Sequence, residues 1–364
     1  MLRPALFSLA TALTLALLAP APRAQALQLG PDVSLLISGT VQPRLSYGYQ
    51  DGDEPGERLG VGVRRARFQM RASYQDVGFE FDFDGSSGDV RSVDLYGFYN
   101  ASETVQVRAG LLPPAQPRAY VPTSHSRIDA IERAAIAERW SQGTIGSSGR
   151  DVGIDVEVEA GRTSAVLSLH SGTGSLARGL GNFRESITAG DVTRGRGETG
   201  AAVSAMVAHE PAGLPGVEVG AFVSANPVGN EDTEFQDMTR GYTSGGAHVY
   251  WGARPGSQPV RLKLDALGVR YEEVDGFVQE AVGVSGLGAV RVLGHGEVFG
   301  RYEAFWPDLD GDAETFVTVG GSYSPSAAAG RAYRLVRFTL AYAYRDAIGE
   351  EDAHLAVLQG QFAF

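Results

Sequence analysis

The chain ends on the run H-L-A-V-L-Q-G-Q-F-A-F at residues 354–364. Every second residue back from Phe364 to Ala356 is apolar or small, whereas the intervening positions include Gln359 and Gln361. Because successive residues of a strand point to opposite faces, this run predicts a terminal β-strand with one face that suits lipid.

The N-terminus carries an export signal. Arg3 precedes an apolar run at residues 5–19, and A-Q-A follows at 24–26. This order is typical of a secretory signal peptide, and the run is too short to cross a bilayer, which takes about 20 apolar residues. We predict a cleaved signal peptide at residues 1–26 and a mature domain at residues 27–364; the alternative is a retained anchor. An exported chain with such a terminal strand is expected to be a closed barrel in a bacterial outer membrane.

Composition excludes several classes of function. The formal net charge is −12 and there is no cysteine. The chain therefore has no disulfide framework and no thiolate metal site, and its acidity argues against nucleic acid as a partner. The six histidines show no ligand spacing, and no Ser/His pair with an orienting partner stands out. We predict no metal, no cofactor, no catalytic residue and no enzymatic activity.

Sixteen segments alternate between apolar and polar residues as strands do. They are residues 35–49, 61–74, 77–84, 91–99, 105–112, 150–158, 163–171, 200–208, 216–224, 246–253, 260–269, 277–291, 297–306, 314–323, 333–344 and 354–364. Short turns and longer polar segments alternate between them, as in single-chain outer-membrane barrels. The sequence predicts an all-β fold, a transmembrane antiparallel β-barrel of about 16 strands. A soluble sandwich is the alternative, but it has no reason to sort its loops by length.

Arginines follow one face of the predicted wall. Arg65, Arg67 and Arg71 share the polar face of the second strand, whose other face is apolar. A charge facing hydrocarbon at the bilayer midplane costs about 2–4 kcal/mol, so these side chains must face a wet lumen. Arg44 and Arg108 lie on the polar faces of the first and fifth strands. We predict that these five arginines line the pore.

This arginine wall has two interpretations. Guanidinium groups can replace part of the hydration shell of a small oxyanion such as phosphate, which would give a path for anions. Alternatively, they pair across the wall with Glu80, Asp82 and Asp84 of the next strand, since opposite charges often face each other in sheets. We favour the anion path, and both interpretations stay open at this point.

The longest connection, residues 113–149, is the only one with helical character. Its residues 128–140 read I-D-A-I-E-R-A-A-I-A-E-R-W, with apolar residues near one helical face. Because an apolar stripe must pack, we predict that this third loop folds into the lumen as a partly helical constriction. It would bring Arg133 or Arg139 near the ion path. An external cap or a subunit contact is the alternative.

Six short motifs occur in order along the chain. They are V-R-R-A-R-F at 63–68, F-E-F-D-F at 79–83, V-R-A-G at 107–110, I-E-R at 131–133, G-R-D-V-G-I at 149–154 and G-R-Y-E at 300–303. With the Phe-terminated end, this pattern resembles the phosphate-selective porin O/P family and covers most of the mature chain. The resemblance implies a trimeric barrel of about 16 strands, an inward-folded third loop and an arginine-lined passage for anions. Phosphate-specific members use lysines as well, whereas Lys263 is the only lysine here.

The sequence therefore predicts a passive outer-membrane porin for small hydrophilic solutes, with a preference for phosphate-like anions. Outer-membrane lipid and lipopolysaccharide are its expected surroundings, and a homotrimer is implied by the resemblance. One alternative is a non-selective or cation-preferring porin in which the wall charges cancel. The other is a plugged outer-membrane barrel with an enzymatic or anchoring role.

Overall fold

A computed structural model describes residues 25–51, 56–145, 148–172, 202–230, 240–273, 276, 278–348 and 352–364. For residues 25, 26, 228–230, 240 and 273 it describes the backbone alone. The predicted signal peptide therefore lies outside the described residues, except for its last two positions. No helix within these ranges has the length and apolar character needed to cross a membrane.

Strands dominate the described part of the chain. They are β1 (Gln25–Gln28), β2 (Val33–Gln50), β3 (Gly56–Tyr74), β4 (Val77–Asp84), β5 (Arg91–Asn100), β6 (Val105–Leu112), β7 (Asp151–Ala160), β8 (Thr163–His170), β9 (Ala202–His209), β10 (Val217–Asn230), β11 (Arg240–Trp251), β12 (Val260–Glu273), β13 (Val278–Val292), β14 (Gly296–Trp306), β15 (Glu314–Tyr323), β16 (Val336–Asp346) and β17 (Ala353–Ala363). Two α-helices, α1 (Ala135–Gln142) and α2 (Pro325–Ala328), and a 3₁₀ turn (His125–Arg127) complete the described elements.

The strands from β2 to β17 form a closed antiparallel barrel. Each strand pairs with the next, and β17 returns to pair with β2, from Ala353 against Gln50 to Ala363 against Thr40. Phe364 extends this closure by donating its backbone N–H to Gly39 at 3.0 Å. On the inner side of the junction, Gln42 donates to Gln361 at 2.9 Å. The predicted barrel of about 16 strands is confirmed, and all sixteen predicted segments overlap observed strands.

The connections are sorted by length only in part. The predicted long segment between the first two barrel strands is reduced to residues 51–55, and a twelve-residue connection, residues 324–335, stands among the short turns. A two-residue turn joins β3 to β4, and similarly short turns follow β5, β7 and β13. These define the short-turn end of the barrel, where the longest described connection contains α2 between β15 and β16. The connections at the other end, here called the long-loop end, include residues 113–150.

The two faces of each strand differ in polarity. In β12, Leu262 and Leu264 are 51% and 61% exposed on the outside, whereas Arg261 and Lys263 are buried on the inside. Phe68 is exposed on the outer face of β3, while its neighbour Arg67 faces inward and pairs with acidic residues of β4. The wall is therefore apolar toward its surroundings and polar toward the lumen, as period-two alternation requires.

The described residues of the 113–149 segment contact the inner face of the barrel. Trp140 donates its indole N–H to Ser244 of β11 at 3.2 Å and stacks edge-on against Phe222 of β10, with ring centroids 5.2 Å apart. Ile136 is fully buried, and a Cβ added at Gly283 of β13 would lie 2.8 Å from it. A larger residue than glycine at position 283 would push the segment off the wall.

The helical part of this segment is shorter than predicted. A helix spanning residues 128–140 would put Asp129 and Glu132 on one face, because residues three apart are neighbours on a helix. Asp129 instead binds Arg261 and Lys263 of β12, whereas Glu132 binds arginines of β2 and β3. Ala134, just before α1, is extended at φ −61° and ψ 132°. The two carboxylates thus reach different parts of the wall, and the helix starts only at residue 135.

Candidate functional site: the lumen around the 113–149 segment

Glu132 lies at the centre of a cluster of three arginines. Its carboxylate accepts from Arg44 at 2.6 Å, from Arg64 at 2.5 Å and from Arg65 at 3.1 Å. Burial alone would raise the pKa of Glu132, but the hydrogen bond from Arg64 and the charges of Arg65, Arg64 and Arg44 lower it to about 2. Glu132 is therefore ionised at neutral pH and ties the segment to β2 and β3.

Strict alternation along β3 does not predict that Arg64 faces the lumen. The register between β2 and β3 shifts between Gln42 and Pro43, so Gln42 faces Arg65 while Pro43 faces Val63. Such a bulge inserts one extra residue, and both Arg64 and Arg65 therefore turn inward. The signal available in the sequence was Pro43, because a strand proline lacks an N–H for the ladder and is common at bulges.

The other predicted wall arginines have acidic partners on neighbouring strands. Arg67 binds Asp82 at 3.1 Å and Asp84 at 2.8 Å, and Arg71 binds Glu80 at 3.2 Å. These are the cross-strand pairs that the sequence offered as the alternative interpretation. Arg108 binds two carboxylates of β7. Its Nε donates to Asp155 at 2.8 Å, and its Nη1 lies 2.9 Å from Glu157.

A cavity of about 370 Å³, here called the arginine cavity, opens toward the long-loop end beside β3, β4 and β5. Its charged lining consists of six arginines and two acidic residues: Arg64, Arg65, Arg67, Arg91, Arg133, Arg150, Asp84 and Glu138. Arg150 is itself paired with Asp94 at 3.0 Å. Cations nevertheless outnumber anions on the surface that a solute would meet.

Arg133 is held by backbone oxygens instead of by an acid. It donates to the carbonyls of Tyr120 at 2.9 Å and Thr123 at 3.2 Å. Within the described ranges, no carboxylate forms an ion pair with it. Burial and the nearby charges of Arg65 and Arg150 lower the pKa of Arg133 to about 9, so it stays protonated at neutral pH.

The pKa of His125 is also affected by the positive charge of this region. Burial, followed by repulsion from Arg67 and Arg65, lowers the pKa of His125 to about 3. The imidazole is therefore neutral at physiological pH. Together with Arg133, it indicates a positive potential on the inner side of the arginine cavity.

Arg133 borders three separate spaces of the interior. Besides the arginine cavity, Arg133 and Glu138 line a second space of about 270 Å³ beside β15, β16 and β17, here called the mixed cavity. Toward the short-turn end, Arg133 borders a space of only about 30 Å³ beside β12 and β13. Arg133 therefore lies where the arginine cavity, the mixed cavity and this small space adjoin. Arg139, the other predicted loop arginine, binds Glu314 of β15 at 2.7 Å and anchors α1.

A chain of hydrogen bonds joins Asp151, His170 and Ser204. His170 lies 2.7 Å from Asp151 through Nδ1 and 3.2 Å from Ser204 through Nε2. This order resembles a hydrolase triad, but all three side chains are buried and none lines the cavities described above. The geometry suits a structural tie between β7, β8 and β9.

Solved structures resemble this barrel over almost its whole length. An anion-selective porin from Comamonas acidovorans superposes with a TM-score of 0.66 at 13% identity, covering 92% of this chain and 100% of that one. The chain has the porin fold. The outer membrane channel DcaP of Acinetobacter baumannii gives a TM-score of 0.61 at 16% identity, covering 93% and 99%. The trimer form of OmpT, an outer membrane protein of Vibrio cholerae, gives 0.62 at 11% identity, covering 92% and 100%. No family model and no curated protein matches the sequence.

Within this porin fold, the predicted arginines do not form one continuous track. Arg65, Arg67 and Arg133 line the arginine cavity, and Arg44 lines the mixed cavity. Arg108 borders a separate space near the short-turn end. Sequence reasoning did not single out Arg64, Arg91 and Arg150 as site residues, although Arg64 and Arg150 lie inside quoted motifs.

Proposed function

We propose that this chain is an outer-membrane porin through which small hydrophilic solutes diffuse passively, with a preference for anions. The observation that carries the proposal is the arginine cavity, which six arginines and two acidic residues line. The porin fold and the predicted signal peptide at residues 1–26 support an outer-membrane location. Catalysis forms no part of the proposal.

Selection would act through charge and width together. Arginine N–H groups replace part of the hydration shell of an entering oxyanion, phosphate-like ones included. A narrow passage, where the effective dielectric constant is lower than in bulk water, strengthens that attraction. Arg133 contributes most, because it borders all three spaces and carries no acidic partner among the described residues. Arg65, Arg67 and Arg139 add to the positive electrostatic potential, although each of them is paired with a carboxylate.

A non-selective general porin is the second candidate, and the ion pairs favour it. Arg44, Arg65, Arg67, Arg71 and Arg108 each bind at least one carboxylate. The fields of two paired charges largely cancel at distances greater than their separation, and salt screens the remainder over about 8 Å at physiological ionic strength. The two candidates therefore differ in whether Arg133 leaves a net positive charge in the passage.

The reversal potential of the purified protein in planar bilayers under a potassium chloride gradient separates the candidates. The anion-preferring porin gives a potential of the sign set by chloride, and Arg133→Gln moves it toward zero. Arg162→Gln is the matched control, because it removes the same charge from an exposed short turn. A potential near zero in the wild type supports the general porin, and absence of any conductance supports a plugged barrel.

We further propose that the mature domain, residues 27–364, forms a homotrimer surrounded by outer-membrane lipid and lipopolysaccharide. The trimer form of the OmpT structure supports this assembly. Mass measurement of the detergent-solubilised protein by light scattering tests it, and a monomer mass contradicts it.

A further inference from the structure

The mixed cavity differs in chemistry from the arginine cavity on the other side of Arg133. Its lining includes Ile131, Phe316, Leu355 and Val357, all apolar. Leu355 is 39% exposed although it belongs to the inward register of β17, whose other members include the buried Gln359. Ile131 and Val357 are buried, so Leu355 and the partly exposed Phe316 form the accessible apolar floor of the cavity. A small inorganic ion carries no apolar surface that could cover this floor.

Charged side chains border this apolar floor. They are four arginines and three glutamates: Arg44, Arg133, Arg301, Arg345, Glu132, Glu138 and Glu303. Arg44 and Arg345 line the mixed cavity, and Arg133 and Glu138 are shared with the arginine cavity. Arg44 and Arg345 are already paired with Glu132 and Glu314. Arg133 has no acidic partner among the described residues, and it therefore offers its charge to an anionic group of a solute lying on the floor.

We propose that the mixed cavity selects organic anions that carry a compact apolar body, such as aromatic or branched carboxylates, over inorganic and polyhydroxylated anions. The inference rests on the proposed function, since it assigns the solute class of the same passage. The anionic group would face Arg133, and the apolar body would cover Leu355 and Phe316. The space of about 270 Å³ is sufficient, because a cavity of about 150 Å³ holds benzene.

The preference should be measurable yet compatible with passage. A single methylene in an apolar pocket changes discrimination by roughly 10-fold or more, and an open cavity realises only part of that effect for a ring. We therefore expect about tenfold stronger binding of an aromatic carboxylate than of a hydroxylated one of similar size. Transport requires that the site remain weak enough for release.

Block of the chloride current in planar bilayers tests the proposal, with phenylacetate and glucuronate as probes of equal charge. Phenylacetate should reach half-block at a concentration about tenfold lower than that of glucuronate. Equal values in the wild type would overturn the inference, and so would block by neutral 2-phenylethanol as strong as that by phenylacetate. Because chloride selectivity is measured separately, an anion-selective channel with equal values defeats only this inference. A channel without anion preference defeats the proposed function.

A matched pair of variants locates the effect. Leu355→Asn should bring the two half-blocking concentrations close together by making the floor polar. Leu293→Asn makes the same exchange in a short turn, where Leu293 is 96% exposed, and should keep the tenfold ratio. A ratio that survives Leu355→Asn places the discrimination elsewhere and overturns the assignment to the mixed cavity.

Discussion

The half of the barrel interior formed by β3 to β7 differs from the half formed by β10 to β14. The first half presents arginines paired with acids of neighbouring strands, such as Arg67 with Asp82 and Arg108 with Asp155. The second half presents buried apolar side chains, among them Phe222, which join residues of the 113–149 segment in one apolar cluster. Charge pairs dominate the first side, whereas on the second side apolar packing is joined by the ion pairs of Asp129 with Arg261 and Lys263.

This difference explains where the segment lies. Its apolar residues Ile136 and Trp140 pack against the apolar half, which removes both surfaces from water. Its polar residues Glu132 and Arg133 are then turned toward the arginines of β2 and β3 and the remaining space. The arginine cavity therefore lies on the charged side, whereas the segment covers the apolar side.

The largest effect is expected from the apolar side. Trp140→Ala removes the ring that packs on Phe222 and Tyr120, and truncation of a buried tryptophan costs about 3–5 kcal/mol. The segment should loosen, the single-channel conductance should rise, and the urea midpoint of unfolding in detergent should fall. Trp251→Ala is the control, because Trp251 is 40% exposed on the outer face. Unchanged conductance and midpoint would show that packing does not hold the segment.

A smaller effect is expected from His125 on the charged side. Its folded-state pKa of about 3 lies below the ordinary value of 6.5, so the folded protein binds fewer protons than the unfolded chain between these values. Stability should therefore rise with pH over this window and be lost as pH falls through it, by about 3 kcal/mol between pH 8 and pH 4. His125→Gln should remove that part of the slope of unfolding free energy against pH. The exposed His209→Gln is the control, and a variant slope equal to that of the wild type contradicts the assignment.

The smallest change in stability is expected at Glu132. Glu132→Gln leaves Arg44, Arg64 and Arg65 with an uncharged partner, which should lower the unfolding free energy by about 1–3 kcal/mol and raise anion preference. Because the folded-state pKa of Glu132 is depressed to about 2, its contribution is present above the ordinary carboxyl pKa and lost as pH falls toward 2. Glu138→Gln removes the same charge where the described residues show no ion pair, so its urea midpoint should stay close to that of the wild type. Equal urea midpoints of unfolding for the two variants would falsify the statement that Glu132 anchors the segment to β2 and β3.

The barrel was predictable because its signal is local. Alternation along each strand identified all sixteen strands of β2 to β17, and inward Arg67 beside outward Phe68 follows from the same rule. The rule failed at Arg64, where one inserted residue opposite Pro43 changes the face. A single bulge reverses the direction of every side chain beyond it, so period counting needs the positions of bulges.

The partners of the arginines were not predictable, since they depend on how the closed barrel brings distant residues together. Asp129 meets Arg261 across 132 positions, and Arg301 donates to the carbonyl of Glu132 across 169. Helical periodicity over residues 128–140 was a real local signal, but these long-range ion pairs overrode it before residue 135. The composition of the 113–149 segment thus predicted that the segment packs. Its conformation, however, depends on contacts with the barrel wall that the sequence does not reveal.

The pair formed by Gln42 and Gln361 links the seam of the barrel to the 113–149 segment. Gln361 also donates to the carbonyl of Ser126, and Gln42 to that of His125, so the first and last barrel strands jointly grip the 113–149 segment. The two anchors lie side by side because β2 and β17 pair at the seam of the barrel. The fit of the 113–149 segment and the closure of the barrel thus depend on the same two side chains.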